Sequence, residues 1–346
     1  MRILYLGSRS GTSLHRAAAL ERLGHTVTLI DPRELLLSSR VIDKWIWETG
    51  GLLLEDYVRR RVLSLIGQGR FELVWVDAGE LVGPALLRAL KEQCGTILNY
   101  NMDNPYTPRD RNKWRLYHQA LPLYDLVVVV RQSNVPEAMA AGARRALAVS
   151  RSADEVAHAR RDLSEAERLK WSCEVAFIGT WMPERGPFLA ELARRGVPLS
   201  IWGDRWHKAS EWSVLRQHWR GNGLYDGHDY ARAVQSAKVC LGLLSKGNLD
   251  QTTVRSFEAP FLGTVLCAER TAEHRQLYDE DLEAVFWSTP EECARKCEWL
   301  LENPELRNRI AMRGRARCLR NGTTNERVLE QILEACCLAS PCEVVR

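Results

Sequence analysis

The chain has no long apolar run. Of its 346 residues 45% are hydrophobic, yet no uninterrupted stretch reaches the roughly 20 residues that a membrane-spanning helix needs. The opening segment, MRILYLGSRSG, is apolar only briefly and then turns polar, which favours a first β-strand over a signal peptide. We therefore expect a cytoplasmic protein without a bilayer-spanning segment.

The chain also lacks a marked excess of charge of either sign. Its 48 Lys and Arg residues nearly balance its 44 Asp and Glu residues, for a net charge of +4. A strongly basic surface is what draws a protein to nucleic acid. Nucleic acid is therefore not an expected partner.

Metal-binding patterns of cysteine are missing as well. The ten cysteines include no CxxC pair and no Cys/His cluster, so we expect no metal cofactor. Cys293 and Cys297 stand four positions apart on a predicted helix, where we expect them to be small buried residues. Cys336, Cys337 and Cys342 would be liabilities in an oxidising compartment, which again favours the reduced cytoplasm.

Apolar strand-like runs alternate with helical stretches along the whole chain. The first run is Arg2–Leu6, and a second cycle starts at Cys173–Ile178. Such alternation predicts parallel sheets with helices on both faces, and the length suffices for two domains. We expect an α/β protein with two doubly wound Rossmann-like domains. Their predicted bounds are 1–165 and 166–337, with a charged linker at 151–170, a tail at 338–346, and the last helices free to pack back on the first domain.

The most informative segment is DQTTVRSFEAPFLG, residues 250–263, which lies between two apolar strand-like runs. A helix that starts near Thr253 would aim free backbone N–H groups beyond the end of the preceding strand. Such a helix end attracts phosphate, because unpaired N–H groups and the helix dipole both favour negative charge. Asp250, Arg255 and Glu258 lie in the same segment. A phosphate could therefore bind near the arginine, and the hydroxyls of the attached sugar could bind the carboxylates. The pattern predicts a nucleotide-sugar site.

Five segments of the chain follow one another in a recognisable order. They are EVAFIGTWMPER (174–185), LSIWGDRW (199–206), YDGHDYARAVQSAKVCLGL (225–243), DQTTVRSFEAPFLGTVLCAERTAEH (250–274) and PEECARKCEWLLENPELRNRIAMRGRARCL (290–319). In this order they resemble the spore-maturation, CgeB-like glycosyltransferases, which are similar to the glycosyltransferase family 4 group. The resemblance covers residues 120–330 and implies a GT-B fold, in which two Rossmann-like domains face a central cleft.

The resemblance also implies the activity. The C-terminal domain would hold a nucleotide diphosphate sugar and the N-terminal domain the acceptor, which would be a glycan, a lipid-linked molecule or a protein. Transfer with retention of the anomeric configuration is favoured over inversion. Members of this fold commonly act without a metal, and the absence of a DxD pair at a strand end agrees; the rival metal ligands are Asp226, Asp229 and Asp250.

The implied donor site lies at the strand ends of the second domain. Glu258 matches the carboxylate that holds the ribose, and Asp250 stands where related enzymes place a glutamate near the donor sugar, in D-x7-E instead of E-x7-E. The other implied donor contacts, to diphosphate, base or sugar, are Gly179, Thr180, Arg185, Gly203, Asp204, Trp206, Arg255, Ser256 and Thr271, with Glu273 nearby.

The implied acceptor side lies in the first domain. Asp103, in the loop NYNMDNP (99–105), is the first choice for a base or an acceptor-orienting group, and Asp250 is the second catalytic candidate. Weaker acceptor-side candidates are Ser10, Gly11, His15 and Asp77.

Purely structural roles for these residues stay open. Asp250 and Glu258 would then be a helix N-cap and a helix-surface residue without a ligand. Arg255 would be a salt-bridge partner, and Asp103 would cap a turn. The stretch 307–320 is rich in arginine and offers contact with a membrane surface, although a solvated helix face is the favoured account.

Three other functions compete with sugar transfer. An NAD-dependent oxidoreductase is the first, but it would need the G-x-G-x-x-G fingerprint, and the first loop of this chain reads GSRSG. A sugar-nucleotide epimerase would use the same donor on the same fold. A non-enzymatic spore-coat or scaffold protein is the third alternative.

Overall fold

The computed structural model describes residues 1–225 and 227–337, so Asp226 and the predicted tail 338–346 lie outside the described residues. The chain divides into two compact units. The first comprises residues 1–150 together with the segment from 325 onward, and the second comprises 151–324.

The first unit contains a six-stranded, all-parallel sheet with the order β2-β1-β3-β4-β5-β6. Its strands are β1 Arg2–Leu6, β2 Thr26–Ile30, β3 Phe71–Asp77, β4 Cys94–Asn101, β5 Leu126–Val129 and β6 Ala146–Ala148. Its helices are α1 Gly11–Arg22, α2 Arg40–Thr49, α3 Glu55–Ile66, α4 Pro84–Lys91, α5 Arg115–Ala120, α6 Asn134–Ala140 and, from the end of the chain, α15 Asn325–Cys337.

The second unit repeats the plan with the order β12-β11-β10-β7-β8-β9, again all parallel. Its strands are β7 Cys173–Ile178, β8 Leu199–Trp202, β9 Trp219–Gly221, β10 Ala237–Gly242, β11 Val265–Glu269 and β12 Val285–Trp287. Its helices are α7 Glu165–Trp171, α8 Arg185–Arg194, α9 Trp212–Leu215, α10 His228–Ser236, α11 Arg255–Phe261, α12 Ala272–Leu277, α13 Pro290–Glu302 and α14 Pro304–Arg320.

Each sheet is buried on both faces, as parallel sheets usually are. Leu4 and Val74 pack into one apolar cluster of the first unit, whereas their neighbours Ile3 and Leu73 pack into the cluster on the other face. The α15 residues Val328–Leu333 contribute to the second of these clusters. The two doubly wound sheets confirm the α/β class and the Rossmann-like domains predicted from the sequence.

The second unit begins at Arg151, earlier than the predicted bound, and ends at Thr324 because the last helix packs back on the first unit, as the prediction allowed. Residues 151–164 belong to the second unit because their arginines are held there: Arg151 donates to the Thr252 carbonyl at 3.0 Å, and Arg160 donates to the Leu262 carbonyl at 2.9 Å. At the other end, α15 packs on α1 of the first unit because its apolar face covers that sheet. The charged stretch that looked like a linker is therefore largely anchored surface.

Candidate functional site

The predicted donor residues come from strand ends of the second sheet. Because all six strands run parallel, their carboxyl ends share one edge, where ligands of such sheets usually bind. Gly179 and Thr180 follow β7, Gly203 and Asp204 follow β8, and Thr271 lies two residues beyond β11. The structure thus brings together loops that lie up to 92 positions apart in the sequence (271 − 179).

The first two of these loops touch through their backbones. A Cβ atom on Gly203, whose φ is +154°, would lie 2.0 Å from the Gly179 carbonyl oxygen. The indole N–H of Trp206 donates to the same oxygen at 3.0 Å. Glycine is therefore required at 203, and Trp206, only 1% exposed, is a core residue that locks the loops. Direct contact between its ring and a nucleobase is not supported.

Asp204 and Tyr225 form the more open part of this edge. The Asp204 carboxylate accepts hydrogen bonds from the Gly223 N–H at 3.2 Å and from the Tyr225 hydroxyl. Tyr225 is 61% exposed, and partial burial together with the neighbouring carboxylate raises the pKa of its hydroxyl. An exposed aromatic face beside a strand-end loop is suited to stack on a base or a sugar. Tyr225 was not among the residues predicted from the sequence, although it begins the motif YDGHDY.

Arg255 lies under the end of β7. Its Nε and Nη2 atoms donate to the Ile178 carbonyl at 3.1 and 2.8 Å, and its Nη1 donates to Glu258 at 3.1 Å. The guanidinium carbon also lies 4.8 Å from the centre of the Tyr230 ring. Burial alone would lower the pKa of Arg255, but Tyr230 and Glu258 raise it above its ordinary value. The cation is fixed beside the Gly179 loop.

Glu258 is enclosed by protein donors. It accepts from the Tyr230 hydroxyl at 2.5 Å and from Arg255, and His158 Nε2 lies 3.5 Å from its other oxygen. The His158 Nδ1 accepts from the Asp154 N–H at 2.8 Å, so its Nε2 carries the proton that faces Glu258. With a side chain 3% exposed, Glu258 positions Arg255, and direct contact with a ribose is not supported.

The backbone N–H groups at the start of α11 were expected to be free, and this expectation is wrong. The Arg255 N–H donates to Thr253 Oγ1, the Ser256 N–H to the Thr253 carbonyl, and the Glu258 N–H to the Val254 carbonyl. The helix begins at Arg255, and the residues before it fold into a turn whose oxygens already accept these donors. The phosphate expectation built on those groups therefore loses its basis.

Ser256 is buried in its own network. Its Oγ lies 2.7 Å from His274 Nε2 and accepts from the Thr253 N–H at 3.0 Å. His274 Nδ1 contacts the Glu269 carbonyl at 2.7 Å, which makes Nδ1 the donor and Nε2 the acceptor from Ser256. Burial lowers the pKa of His274 to about 4, against the opposing effect of the Glu269 carbonyl. Ser256 thus connects α11 to α12, and direct donor binding is not supported.

Asp250 is one half of a buried ion pair. Its Oδ1 lies 2.7 Å from Arg151 Nη2, and the two side chains are 7% and 5% exposed. Arg151 also donates to Thr252 Oγ1 at 3.2 Å. The structure favours the structural interpretation of Asp250 over a catalytic or metal-binding one.

Arg185 and Thr271 hold loops. Arg185 is mostly buried and donates to the carbonyls of Thr180 and Leu243 at 2.9 and 3.2 Å. Thr271 caps α12 through the His274 N–H at 3.0 Å and donates to the Gln251 carbonyl at 2.8 Å.

Two further candidates have protein partners. Glu273 accepts from Thr252 Oγ1 at 3.3 Å. Asp229, a rival metal ligand, pairs with Arg232 at 3.0 Å.

In the first unit, Asp77 belongs to a buried pair. Arg16 Nη2 lies 2.7 Å from its Oδ2, and the Tyr5 hydroxyl donates to the same oxygen at 2.5 Å. The Arg16 guanidinium stacks over the Tyr100 ring at 4.4 Å. Arg16 escaped the sequence analysis, although a charged residue within the apolar stripe of α1 is the kind of signal that would have found it.

Asp77 also lines a cavity of about 200 Å³ at the carboxyl ends of β1, β2 and β3. Ser8, Asp31 and Glu80 are among its other polar lining residues. Burial raises the pKa of Glu80, although Lys113, whose Nζ lies 2.8 Å away, opposes this. This cavity is a concave feature on the predicted acceptor side.

Asp103 lies on the neighbouring loop. Its N–H donates to Asn101 Oδ1 at 2.9 Å, as in a turn, and its carboxylate, 45% exposed, lies 3.7 Å from Lys113 Nζ. Ser10 Oγ is 2.9 Å from Ser8 Oγ, and Gly11 and His15 follow on α1, both partly buried. Apart from Asp77, the acceptor-side candidates do not line the cavity.

Arginines of α14 are largely used inside the second unit. Arg307, Arg315 and Arg317 donate to backbone carbonyls, and Arg320 pairs with Glu283 at 2.9 Å. These contacts reduce the basic surface that a membrane would meet. Within the described ranges 1–225 and 227–337, no helix combines the length and the apolar character needed to cross a bilayer.

The structure brings three buried cysteines together, Cys293 and Cys297 being buried as expected. The sulfur atoms of Cys267, Cys293 and Cys297 all lie within 4.8 Å of one another. Cys267 on β11 precedes Cys293 on α13 by 26 positions (293 − 267), so no sequence spacing indicates the contact, and the expectation of no metal cofactor stays a prediction.

The comparisons with known proteins agree with this architecture. A family model described as "Glycosyl transferase-like" matches residues 185–334. No curated protein matches the chain.

Solved structures resemble almost the whole chain. HepE from Anabaena, in complex with UDP and glucose, is 15% identical, with a TM-score of 0.67 over 97% of this chain and 99% of that one. Sucrose-phosphate synthase from Thermosynechococcus elongatus is 12% identical, with a TM-score of 0.67 over 98% of this chain and 100% of that one. UDP-GlcNAc 2-epimerase from Neisseria meningitidis, bound to UDP-GlcNAc, is 11% identical, with a TM-score of 0.58 over 97% of this chain and 99% of that one. The chain therefore has the GT-B fold of two Rossmann-like domains.

Proposed function

We propose that the protein is a glycosyltransferase of the CgeB-like type, which moves a sugar from a nucleotide diphosphate sugar to a glycan, lipid-linked or protein acceptor. One observation carries the proposal: the "Glycosyl transferase-like" match over 185–334 spans most of the carboxyl edge where loops from β8, β10 and β11 meet. The HepE structures contain UDP or UDP-glucose, so a UDP-sugar is the first donor to test.

The donor would lie against the Gly179–Thr180 and Gly203–Asp204 loops. Arg255 supplies a fixed positive charge beside them, which suits the charge that develops on a leaving diphosphate. Glu258 and Tyr230 hold that arginine in place. Tyr225 offers an exposed ring for the base or the sugar.

Neither a metal ion nor a protein base is part of this proposal. A fixed cation such as Arg255 can stabilise the charge on the leaving diphosphate without a metal. In a retaining transfer Asp103 would orient the acceptor from beside the cavity lined by Asp77 and Glu80, since Lys113 contacts both Glu80 and Asp103.

A thermal-shift panel of UDP-, GDP-, dTDP- and CMP-sugars tests the proposal. A donor at about 100 times its dissociation constant stabilises the fold by about 2.7 kcal/mol. Tyr225→Ala should weaken donor binding by about fivefold, because a lost stacking contact is worth about 1 kcal/mol. Tyr57→Ala, at a tyrosine 43% exposed in the first unit, is the matched control. No shift with any nucleotide sugar would contradict the proposal.

An epimerase is the second candidate, because UDP-GlcNAc 2-epimerases share the fold with TM-scores of 0.58 and 0.62. The donor that binds should be incubated without acceptor and followed by NMR. Conversion to a sugar epimer would establish the epimerase and overturn the transferase. Slow release of nucleotide diphosphate, accelerated by an acceptor, is the result that the transferase predicts.

A further inference from the structure

The cluster of three cysteines in the second unit is unrelated to the predicted donor edge. Cys267 lies in the middle of β11, and Cys293 and Cys297 lie one turn apart on α13. All three residues are fully buried in the apolar cluster between that helix and the sheet. Their sulfur atoms point at one another, with every pair within 4.8 Å.

Three thiolates around one metal ion require only a small adjustment of this geometry. Metal–sulfur bonds to a d¹⁰ ion are about 2.3 Å long, so three sulfurs in a trigonal arrangement lie about 4 Å apart. Each sulfur would move by less than about 1 Å from its present place.

The number and type of the ligands select the metal. Soft thiolates prefer Cu(I) and Zn(II) among common ions, but structural Zn(II) sites nearly always have four ligands. Among the His, Cys, Asp and Glu residues that the structure describes, these three cysteines alone form such a group. Full burial leaves little room for water as a fourth ligand. Three soft ligands in a dry site fit a monovalent ion with trigonal coordination.

A route from solvent lies next to the cluster. Cys297 is among the lining residues of a cavity of about 400 Å³. The cavity lies between α13 and the turn that precedes β8. Its charged lining is mixed, with Arg195 and Arg295 beside Glu291, Glu298 and Glu302, so it offers a polar path for an ion and no net positive charge.

We propose that Cys267, Cys293 and Cys297 bind one Cu(I) ion as three thiolates. Binding forms three Cu–S bonds and releases three thiol protons, with no change in the oxidation state of either copper or sulfur. The complex would fasten α13 to β11. The proposal does not depend on the glycosyltransferase function, because none of the predicted donor residues lies in β11 or α13, which carry the three cysteines.

Anaerobic titration of the reduced, full-length protein with Cu(I) tests this site. Copper and zinc are measured by mass spectrometry after dialysis, and thiolate-to-copper charge transfer is followed in the ultraviolet. The expected result is one tightly held copper per chain, lost in Cys267→Ala and retained in Cys240→Ala. Cys240 is the matched control because it is equally buried on the adjacent strand β10 but packs on the opposite face of the sheet.

A second measurement uses the unaltered chain, because a variant that fails to fold would lose copper for a reason unrelated to the site. Alkylation under partly denaturing conditions, with and without Cu(I), should show copper-dependent protection of the three cluster cysteines and none of Cys173 or Cys240. Equal protection of all cysteines, copper uptake that Cys267→Ala leaves unchanged, or a preference for Zn(II) would each overturn the proposal.

Discussion

The ion pair between Arg151 and Asp250 gives the sharpest prediction, because the sequence and the structure give Asp250 different roles. The pair joins the first residue of the second unit to the segment before α11, at 2.7 Å and almost without exposure to solvent. Arg151 holds the same segment through the Thr252 carbonyl and hydroxyl. The pair therefore fixes the chain that leads into the donor edge.

Asp250→Asn keeps the shape of the side chain and removes its charge. Breaking a buried pair by removing one partner costs about 3–5 kcal/mol, because the other charge stays buried without compensation. Arg151→Met should cost a similar amount and also removes the hydrogen bonds to Thr252. The double variant Arg151→Met/Asp250→Asn buries no unpaired charge, so we expect it to recover about 2–3 kcal/mol relative to the sum of the single variants.

Urea unfolding of the four proteins, followed by circular dichroism, gives this double-mutant cycle. The same proteins are then compared for nucleotide-sugar binding and turnover at a temperature at which all are folded. If Asp250 is structural, the double variant regains both stability and turnover. A cost below about 1 kcal/mol for Asp250→Asn, or strictly additive effects, would refute the structural role. Recovered stability without recovered turnover would assign Asp250 to the chemistry.

Three further predictions concern the loops at this edge. Gly203→Ala should cost about 2–4 kcal/mol in thermal melts and weaken donor binding, because its Cβ would lie 2.0 Å from the Gly179 carbonyl oxygen. The control is Gly196→Ala, where φ is +83° and the space around the new Cβ is open; it should cost only about 1 kcal/mol. The pKa of His274 is about 4 in the folded protein, against 6.5 as its ordinary value, so the unfolded chain takes up the proton first and about 3 kcal/mol of stability should be lost as the pH falls from about 6.5 to 4. In His274→Gln the urea midpoint should depend less on pH over that window. The same dependence on pH in the variant and the parent protein would contradict a buried neutral imidazole. Arg185→Met removes this donor from the buried Leu243 carbonyl and the partly buried Thr180 carbonyl and should cost about 2–4 kcal/mol by urea unfolding. A loss of nucleotide affinity without any loss of stability would instead favour direct contact with the diphosphate.

Much of the fold could be predicted from the sequence, because the period of apolar residues is a local property. The run Val239–Leu244 predicts a buried parallel strand, and β10 is found at Ala237–Gly242. The bounds of the domains were harder to predict from the sequence. They depend on where Arg151 and α15 find their partners, which are far away in the sequence.

The candidate site was predicted in its location more than in its contacts. The carboxyl edge follows from strand direction alone, so Gly179, Gly203 and Thr271 fall there. The partners of Asp250 and Glu258 do not follow, because Arg151 and His158 lie about a hundred positions earlier in the chain. A carboxylate in a suggestive motif looks the same in a sequence whether it meets a ligand or a buried cation.

The central claim is that the carboxyl edge of the second sheet binds a nucleotide diphosphate sugar. A crystal structure of the protein with UDP or its best-binding nucleotide sugar tests it most directly. The account predicts electron density for the diphosphate beside the Gly179–Thr180 and Gly203–Asp204 loops, within reach of Arg255. Nucleotide bound elsewhere on the molecule, or an empty edge at saturating nucleotide, would contradict it.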